Sequence, residues 1–467
     1  MVTRLTFCGA AKNVTGSRYL LEMPDHKFMV DCGMFQERQF LSRNWEPFRV
    51  PPKELEAVLI THAHLDHCGL LPKLVSQGFH GRIICTSATA DLARIILLDS
   101  ARLQEEDAAY KKKRHLREGR QGPYPEIPLY TTEDVEATLP LFEGVAYDTP
   151  VPVTRGVNAS FHDAGHVLGS SMIEVAFDIE NYDRDIIFSG DIGRWDRPML
   201  KDPHLFRNPD YVVMESTYGD RKHEQADVIA SELADIINET IRAGGHIIVP
   251  SFALQRAQEI LYYMNELLID GRIPDIDVYL DSPMAIRITE VYKHYEHLFD
   301  REMQTLLKKN LSPFDFPGLK FVQTTDESKA LNFLKKPSMI IAGSGMITGG
   351  RIKHHVSNNI SRPESTILFI GYQAEGTLGR IILDGANTVR IFNRPHIVRA
   401  RIAQINGLSA HADRDDLTRW VGAFKEKPEK LFITHGEEKT AIAFSHYLSQ
   451  KGFKTVVPNY GDTAVLT

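Results

Sequence analysis

Short apolar runs rich in β-branched and aromatic residues alternate with turn residues at the start of the chain. The segments "RLTFCG", "SRYLLEM" and "KFMVDCG" are such runs, separated by Gly, Asn, Pro and Asp, and this pattern is typical of β-strands. "EAVLIT" and "GRIICT" predict further strands, and "LLPKLVSQG" between them predicts a short helix that ends at Gly78. Ser87 to about Arg120 has a helical pattern, after which "SMIEVAFDI" and "RDIIFSGD" predict strands again.

From about Asp210 the pattern becomes a regular alternation of strand and helix. "YVVMEST" is followed by "ADVIASELADIINETIRAGG", in which apolar residues recur at helical spacing, namely Ile229, Leu233, Ile236, Ile237 and Ile241. "HIIVPSF", "DVYLDS", "SMIIAGSG" and "STILFIG" predict strands with helices between them, one of which is "RAQEILYYMNELLIDG". This alternation predicts an α/β module of about 180 residues with a parallel sheet.

The last part of the chain resumes the style of the first part. "HIVRARIAQING" and "KLFITH" predict strands, and "RDDLTRWVGAF" predicts a helix. The α/β module is therefore predicted to be inserted into a larger first domain. The predicted division is 1–209 for the first part of that domain, 210–394 for the insertion and 395–467 for its final part.

Composition narrows the class of protein. Of 467 residues, 43% are apolar and 25% charged, which is the profile of a soluble globular protein. No apolar run approaches the roughly 18 residues of a membrane span, and the start does not have the pattern of a signal peptide, so we expect a cytoplasmic protein with no membrane partner. The net charge of −7 argues mildly against a protein that coats nucleic acid, but it does not exclude a nuclease with a local basic patch. Four cysteines without a C-x-x-C pair are expected to be reduced and small core residues.

The stretch "ITHAHLDHCG" carries four metal-ligand types in six positions: His62, His64, Asp66 and His67. Imidazole and carboxylate are ligands that zinc prefers, and residues two apart in an extended segment point the same way. Four ligands are too many for one site with an open position, but they suit two metals roughly 3.5–4 Å apart. We therefore predict a dinuclear site.

Three further candidates stand in similar settings. His166 lies in the Gly-flanked loop "HDAGHVLGS", Asp191 ends "DIIFSGD" and His435 ends "KLFITHGE". A polar side chain at the end of an apolar strand is held on a rigid support. Taken singly, each of these residues is equally compatible with an ordinary surface or core position.

These motifs resemble the signature of the metallo-β-lactamase fold, His-x-His-x-Asp-His, and Asp31 of "VDCG" matches a further motif of that family. The resemblance implies an αββα sandwich of two sheets with two Zn²⁺ ions per chain at one edge. One zinc would be bound by His62, His64 and His166, and the other by Asp66, His67 and His435. Asp191 would bridge the two ions, and Asp31 would support the histidine loop.

From Glu215 onward the resemblance narrows to the β-CASP nucleases. "VVMEST", "GLSAHAD" and "FITHGE" are similar to motifs A, B and C of that group, which makes Glu215, His411 and His435 the motif residues. The fold class implied is α/β, a metallo-β-lactamase sandwich with an inserted α/β β-CASP domain that contains a parallel sheet. Histidine at motif C is typical of the RNA-processing members, whereas the DNA-processing members have valine there.

The chemistry implied is hydrolysis of RNA phosphodiester bonds. A hydroxide bridging the metals would attack phosphorus and leave a 5′-phosphate and a 3′-hydroxyl. His411 would protonate the departing 3′-oxygen, and Glu215 would orient that imidazole. Together with Asp191 and Asp66, these two residues form the predicted catalytic set.

Weaker signals concern the substrate, which we expect to be single-stranded RNA. In "GSGMITGGR", the amides of Gly343, Ser344 and Gly345 could cradle a phosphate, but an ordinary tight turn is an equal alternative. Ser251 and Arg256 after "HIIVP" could also reach a phosphate, against the alternative of a plain helix start with a surface arginine. The basic stretch "KKKRHLREGR" from Lys111 to Arg120 could contact the RNA backbone, but charge alone favours a solvated helix face.

Other functions remain open at this point. The short segment after motif C favours an endonuclease over a 5′-3′ exoribonuclease. A small-molecule hydrolase of the same fold would need the zinc ligands, but it would not need an inserted domain or the pair Glu215 and His411. An inactive scaffold subunit is disfavoured because every expected ligand is present. Whether the chain forms a homodimer is left open.

Overall fold

The computed structural model describes residues 3–120, 122–179, 182–223 and 226–467. Within them the chain divides into two compact units. The discontinuous unit consists of the described residues of Met1–Asp196, Lys201–Lys222 and His411–Thr467. The inserted unit consists of those of Arg197–Leu200 and His223–Ala410.

The elements follow one another along the chain in three blocks. The first block belongs to the discontinuous unit and contains β1 (Thr3–Phe7), β2 (Tyr19–Glu22), β3 (Lys27–Val30), β4 (Ala57–Leu59), α1 (Leu65–Cys68), α2 (Leu71–Ser76), β5 (Arg82–Thr86), α3 (Ser87–Glu118), α4 (Thr132–Thr138), β6 (Phe142–Val145), β7 (Val151–Thr154), β8 (Val157–Asp163), β9 (Ser171–Ile179), β10 (Tyr182–Phe188) and β11 (Tyr211–Met214). The second block is the inserted unit, with α5 (Ala226–Arg242), β12 (Ile247–Pro250), α6 (Arg256–Ile269), β13 (Asp277–Leu280), α7 (Pro283–His294), α8 (Arg301–Lys308), β14 (Leu319–Phe321), α9 (Thr325–Ala330), β15 (Ser338–Ala342), α10 (Gly350–Asn359), β16 (Thr366–Phe369), α11 (Leu378–Leu383), β17 (Thr388–Ile391), β18 (Arg394–Ile397) and β19 (Arg401–Gln404). The third block returns to the discontinuous unit with α12 (Arg414–Gly422), β20 (Lys430–Ile433), α13 (Glu438–Gln450), β21 (Thr455–Val456) and β22 (Thr463–Leu466).

The discontinuous unit is built on two seven-stranded sheets. Their strand orders are β22-β1-β2-β3-β4-β5-β6 and β21-β20-β11-β10-β9-β8-β7. One buried apolar cluster takes residues from both sheets, among them Phe7 and Phe28 of the first and Phe161 and Phe188 of the second. The sheets therefore pack face to face, because each alternating strand must bury its apolar side.

Helices cover the outer faces of this sandwich. On the second sheet, Trp420 of α12 and Phe444 of α13 join the buried cluster formed by Ile187 and Met214. On the first sheet, α3 packs against β5 and β6. The predicted αββα arrangement is confirmed.

The inserted unit contains a six-stranded sheet with the order β14-β13-β15-β12-β16-β19, and every pairing in it is parallel. Its strands β12, β15 and β16 are buried at every position, as expected for a parallel sheet covered on both faces. In α5 the predicted apolar stripe is buried at Ile229, Leu233, Ile236 and Ile237. The predicted α/β insertion with a parallel sheet is confirmed.

The limits of the compact units differ from the predicted domain limits at 209 and 394. β11 pairs in parallel with β10 and β20 of the second sheet, so this strand belongs to the discontinuous unit. The single strand predicted in "HIVRARIAQING" is divided, because β18 forms a hairpin with β17 whereas β19 pairs with β16 of the inserted sheet. Sequence pattern finds strands, but it does not say which distant strand each one pairs with.

Two expectations from composition bear on the described residues. No helix among residues 3–120, 122–179, 182–223 and 226–467 combines the length and apolar character needed to cross a membrane. The four cysteines are unpaired, and Cys32, Cys68 and Cys85 are buried while Cys8 is partly exposed.

Candidate metal centre

The candidate site lies where several strands of the discontinuous unit end. β10, β11 and β20 are neighbours that run parallel in the second sheet, so their carboxyl ends share one edge. Asp191, Glu215 and His435 each follow one of these strands by one to three residues. Each is at most 2% exposed. The fold thus brings together three polar residues that are far apart in sequence.

The loop after β4 supplies the histidine cluster from the first sheet. His62 and His64 lie in this loop, whereas Asp66 and His67 lie on the short helix α1. His166 comes from the loop between β8 and β9. The structure therefore places all seven sequence-predicted ligand residues near one another in two donor sets.

The first donor set consists of His62, His64, His166 and Asp191, whose ligand atoms all lie within 4.8 Å of one another. His64 Nδ1 lies 3.0 Å from His62 Nε2 and 3.3 Å from His166 Nε2. Asp191 Oδ2 lies 3.3 Å from His62 Nε2 and 3.4 Å from His166 Nε2. Four donor atoms thus surround one small volume.

The second donor set consists of Asp66, His67 and His435. His67 Nε2 lies 3.1 Å from His435 Nε2, which lies 3.5 Å from Asp66 Oδ2. Asp191 Oδ1 lies 3.3 Å from His67 Nε2 and 3.5 Å from His435 Nε2. The two carboxylate oxygens of Asp191 therefore face different donor sets.

The donor sets can be tested for their fit to metal ions. Among the described residues, Asp191 Oδ1 and His166 Nδ1 are buried atoms without a hydrogen-bond partner, and such atoms are costly unless something satisfies them. Imidazole nitrogens also face each other at hydrogen-bond distance, an arrangement that cannot be satisfied when both carry lone pairs. Nitrogen and carboxylate donors at this spacing fit zinc and similar divalent ions. The residues present therefore fit two metal ions.

Asp31 holds the histidine loop in place. It is fully buried, and its Oδ2 lies 2.7 Å from His67 Nδ1. Its carboxylate also accepts hydrogen bonds from the backbone N–H and the hydroxyl of Thr61. With Nδ1 of His67 bound to this carboxylate, Nε2 is left facing the second donor set, which is a recurrent arrangement behind metal-bound histidines.

The electrostatics separate the histidines into two groups. Burial lowers the pKa of His62 to about 3 and that of His64 to about 4; at His62 the neighbouring His67 adds to the effect, whereas Asp191 opposes it. Burial likewise lowers the pKa of His166 well below its usual value. These rings are therefore neutral, the form in which imidazole binds a metal.

At the remaining members of the site, neighbouring charges shift the pKa values toward the charged forms. Burial opposes a charge on His67, but the carboxylates of Asp191 and Asp31 outweigh it and raise its pKa. The carboxylates of Asp191 and Asp66 raise the pKa of His435 in the same way. Burial also disfavours ionised Asp66 and Asp191, but the histidines around them lower both pKa values. A buried concentration of carboxylates and imidazoles of this kind is expected at a functional site.

His411 and Glu215 form a pair beside the first donor set. His411 Nδ1 lies 3.1 Å from Glu215 Oε2 and 3.8 Å from Asp191 Oδ2. Glu215 is almost fully buried, whereas the His411 side chain is 22% exposed. Burial opposes a charge on this imidazole, but the attraction of Glu215 and Asp191 raises the pKa of His411 to about 9. His411 is thus a partly accessible ring that holds a proton at neutral pH.

Two threonines were missed in the sequence. Thr61 donates its hydroxyl to Asp31, and Thr217 donates its hydroxyl to Glu215 Oε2 at 2.6 Å. The backbone N–H of Ile192 donates to the other oxygen of Glu215 at 2.5 Å. Each threonine stands within two residues of a motif histidine or glutamate, and that proximity was the available signal.

The residues suggested as phosphate contacts lie in the inserted unit. Ser251 is buried, and its hydroxyl donates to the carbonyl of Phe252. Arg256 begins α6, and its guanidinium lies 2.5 Å from Glu259. The Arg256 side chain is only 12% exposed and pairs with a buried glutamate. It is therefore not the surface arginine that was considered as an alternative.

The glycine-rich segment follows β15 closely. Gly343, Ser344 and Gly345 come directly after its last residue Ala342, and α10 begins at Gly350. The hydroxyl of Ser344 lies 3.0 Å from that of Thr348 and accepts a hydrogen bond from its N–H. A phosphate role for these amides remains a prediction.

The basic stretch forms the exposed end of α3. Lys111 pairs with Asp107 at 2.5 Å, and Arg114 lies 4.0 Å from Glu118. Lys112 and Lys113 are exposed. Helix-surface pairs of this kind contribute little to stability, so the cations are available to other partners.

Three family models match the chain. The model described as the metallo-beta-lactamase superfamily matches residues 13–168, the Beta-Casp domain matches residues 257–382, and the Zn-dependent metallo-hydrolase RNA specificity domain matches residues 395–458. The first and third matches lie mainly in the discontinuous unit, and the second lies within the inserted unit.

Similarity to several named proteins extends over nearly the whole chain. A protein named Ribonuclease TTHA0252 from Thermus thermophilus is 35% identical over 460 residues, which are 98% of this chain and 99% of that protein. A transcription termination factor FttA from Methanosarcina mazei is 30% identical over 96% of this chain and 69% of its own length. An RNase J-like protein from Methanocaldococcus jannaschii is 30% identical over 94% of both chains.

A solved structure supports the fold alone. The crystal structure of a protein of unknown function from Enterococcus faecalis superposes with a TM-score of 0.55 over the full length of both chains, at 12% sequence identity.

Proposed function

Because the chain belongs to the β-CASP nuclease family of the metallo-β-lactamase superfamily and is a metal-dependent hydrolase, we propose that it is a zinc-dependent ribonuclease. Its substrate would be single-stranded RNA, cut within the strand to leave a 5′-phosphate and a 3′-hydroxyl. The match to an RNA specificity domain and the names of the relatives support RNA as the substrate.

The observation that carries this proposal is the position of Asp191. One of its oxygens faces His62 and His166, and the other faces His67 and His435. A carboxylate shared in this way supports two ions rather than one. Both zinc ions would be held by the seven residues of the two donor sets, with Asp191 common to both.

Two bound zinc ions would neutralise the charge of a phosphodiester and lower the pKa of a water molecule to about 7. The protein's own contribution begins with Asp31 and Thr61. The carboxylate of Asp31 fixes the Nδ1 side of His67, and Thr61 fixes Asp31 in turn. This support keeps Nε2 of His67 directed at the second donor set without any rearrangement during the reaction.

His411 is the proposed general acid. Hydrolysis forms a new P–O bond to water and breaks the bond to the 3′-oxygen, which leaves poorly as an alkoxide. His411 holds a proton because of Glu215 and Asp191, which raise its pKa, and its ring is partly accessible. It would give this proton to the 3′-oxygen, while Glu215, fixed by Thr217 and the N–H of Ile192, would keep the ring oriented.

The pair also bears on a competing function. A small-molecule hydrolase of this fold would need the zinc ligands, but it would not need an inserted domain or the pair His411 and Glu215. The presence of both, with an inserted unit of the β-CASP type, favours a nuclease. An inactive scaffold is disfavoured because no donor of either set has been replaced.

The experiment compares four substrates with purified, zinc-loaded protein: linear single-stranded RNA, circular RNA, single-stranded DNA and a chromogenic lactam. We expect RNA to be cut much faster than DNA, the circle to be opened, and the lactam to remain almost unchanged. The Asp191→Asn variant serves as the control for contaminating nucleases. Comparable turnover of the lactam would overturn the nuclease assignment, and a circle that stays closed while linear RNA is degraded from its 5′ end would make the enzyme an exoribonuclease.

A further inference from the structure

A second group of imidazole and carboxylate side chains lies around β8, and none of its members belongs to the metal centre. Asp148, His162 and His204 each place a ligand atom within 4.8 Å of the others. All three belong to the discontinuous unit. The His162 side chain is 11% exposed and that of Asp148 is 66% exposed, so the group is reachable from solvent.

Backbone hydrogen bonds fix the three segments that meet here. The N–H of Asp148 donates to the carbonyl of Phe161 at 2.9 Å, and the N–H of His204 donates to the carbonyl of Asp163 at 2.9 Å. These two carbonyls flank His162 in β8. The segments carrying Asp148 and His204 are therefore attached on either side of His162, and the three side chains meet because of main-chain geometry.

An aromatic support holds the two rings. His162 and His204 stack with their centroids 4.4 Å apart and their planes at 28°. The ring of Phe206 meets both edge-on, with centroid distances of 5.1 and 4.8 Å. Phe206 is itself packed in the buried cluster of the second sheet. The imidazoles therefore have little freedom to turn away from each other.

A fourth residue, Glu174 of β9, completes the arrangement. His162 Nδ1 lies 2.7 Å from Asp148 Oδ1, and its Nε2 lies 3.2 Å from Glu174 Oε2. When the neutral ring donates its Nε2 hydrogen to Glu174, the Nδ1 lone pair faces Asp148. A carboxylate bound to the far nitrogen of a histidine is the usual support behind a metal ligand.

The charges around the group favour a cation. Burial opposes a charge on His162, but hydrogen bonds with Glu174 and Asp148 raise its pKa, because two carboxylates attract positive charge. The pKa of His204 is lowered by burial and by the neighbouring His162, so this ring is a neutral donor. With both imidazoles neutral, the two carboxylates leave a formal charge of −2, which one divalent ion would neutralise.

We propose that this cluster, the β8 site, binds a divalent transition metal ion such as Zn²⁺ through His162 Nδ1, the ring of His204 and the carboxylate of Asp148. Two nitrogens and one oxygen are donors that suit zinc, with water completing the coordination. Glu174 orients His162 without binding the ion. The bound ion ties the segments of Asp148 and His204 to β8, and therefore stabilises this part of the second sheet.

The test measures zinc per chain by equilibrium dialysis and elemental analysis at saturating Zn²⁺, in wild type and in His204→Ala. The expected difference is one zinc, whatever the number held at the metal centre, so the result does not depend on the ribonuclease proposal. His80→Ala is the matched control, because His80 is also an exposed histidine but lies outside the β8 site. Cleavage of RNA should be unchanged in His204→Ala.

Two further variants keep the test decisive if His204→Ala folds poorly. Asp148→Asn alters an exposed side chain and should also lose one zinc. Glu174→Gln should bind the same number of zinc ions at saturation. Its affinity for the zinc of the β8 site should fall by roughly 10–100-fold, which is typical of removing a supporting carboxylate. Equal zinc content in wild type, His204→Ala and Asp148→Asn would overturn the proposal, as would an equal loss in His80→Ala.

Discussion

Asp191 in the discontinuous unit and Asp281 in the inserted unit are both aspartates that follow a strand and lie buried, yet their surroundings differ. Asp281 follows β13 and accepts hydrogen bonds from Ser328 at 2.5 Å, Arg351 at 2.6 Å and His355 at 2.6 Å. The imidazole nitrogens around Asp191 lie 3.3 Å or more from its oxygens. Its Oδ1 has no hydrogen-bond partner within the described part of the chain.

The difference teaches how to distinguish a structural cluster from a binding centre. Burial raises the cost of an ionised Asp281, but donors from His355, Ser328 and Arg351 satisfy it and lower its pKa. Hydrogen bonds within the protein thus already satisfy that carboxylate. At Asp191 burial likewise disfavours the ionised form, but its pKa is lowered by the attraction of histidines that are themselves metal-ligand types. The residue types in the two clusters would not by themselves show which one is a candidate binding centre.

Substituting the two aspartates should therefore give opposite defects, and this is the largest effect expected. Asp191→Asn should lose zinc and reduce RNA cleavage by more than the roughly 10²–10⁴-fold that loss of a general acid costs. Asp281→Asn should keep its zinc but lose about 3–5 kcal/mol of unfolding free energy, because Arg351 and His355 lose their buried partner. Elemental analysis and urea unfolding measure the two quantities. The comparison fails if Asp281→Asn loses zinc while remaining folded.

The second prediction concerns the proton of His411. His411→Ala should reduce cleavage by about 10²–10⁴-fold and keep both zinc ions, since the ring is in neither donor set. A substrate with sulfur in place of the scissile 3′-oxygen should restore most of this activity, because a thiolate, with a thiol pKa near 8.5, leaves without a proton. Single-turnover rates on the two substrates measure the rescue.

Wild type on both substrates is the control for this rescue, and it should gain little from sulfur. Glu215→Gln should be rescued to a smaller degree, because Glu215 acts through His411. Equal defects of His411→Ala on oxygen and sulfur substrates, with zinc content intact, would falsify its role as the acid and leave it a positioning residue.

Asp31 allows a more specific test of the metal centre, with a smaller expected effect. Asp31→Asn preserves the shape of the side chain but weakens its hold on His67 Nδ1. Loss of such a supporting carboxylate should reduce the affinity for zinc by roughly 10–100-fold, while the zinc content at saturation should remain that of wild type. Competition with a chelator measures the affinity. An unchanged affinity would mean that Thr61 and packing alone orient the histidine loop.

The smallest effect is expected at the basic end of α3. Replacing Lys111–Arg114 by Gln should weaken RNA binding and reduce the slope of log K against log salt by about 0.7 for each of these cations that pairs with a phosphate. Lys451→Gln with Lys454→Gln is the control, since these lysines are also exposed. Binding titrations at several salt concentrations provide the slopes. If the slope equals that of wild type, the stretch is an ordinary solvated helix face.

The sequence was most informative where chemistry is local. His62, His64, Asp66 and His67 lie within six positions, so their proximity follows from chain connectivity. His166, Asp191 and His435 were found because each stands at a strand end or in a Gly-flanked loop, and the family motifs gave their order. The α/β insertion followed from the switch between short strands and strand-helix alternation, whereas the αββα sandwich was implied by the family resemblance.

Features that depend on distant pairing could not be predicted. Nothing local indicates that β11 continues the second sheet or that β19 pairs with β16. The β8 site likewise combines Asp148, His162 and His204, which belong to separate segments and have no motif in common. The ion pair between Arg256 and Glu259 is different, because it is local and its spacing of three residues on a helix was visible in the sequence.

The pairing of β22 with β1 in the first sheet has a consequence for synthesis of the protein. The discontinuous unit needs its last strand to complete that sheet, and the second donor set joins His67 to His435 across 368 residues. At roughly 5–20 residues per second, a ribosome spends many seconds between these two histidines. The inserted unit emerges during this interval and carries its own sheet. A nascent chain therefore cannot assemble the second donor set until the segment that carries His435 has emerged.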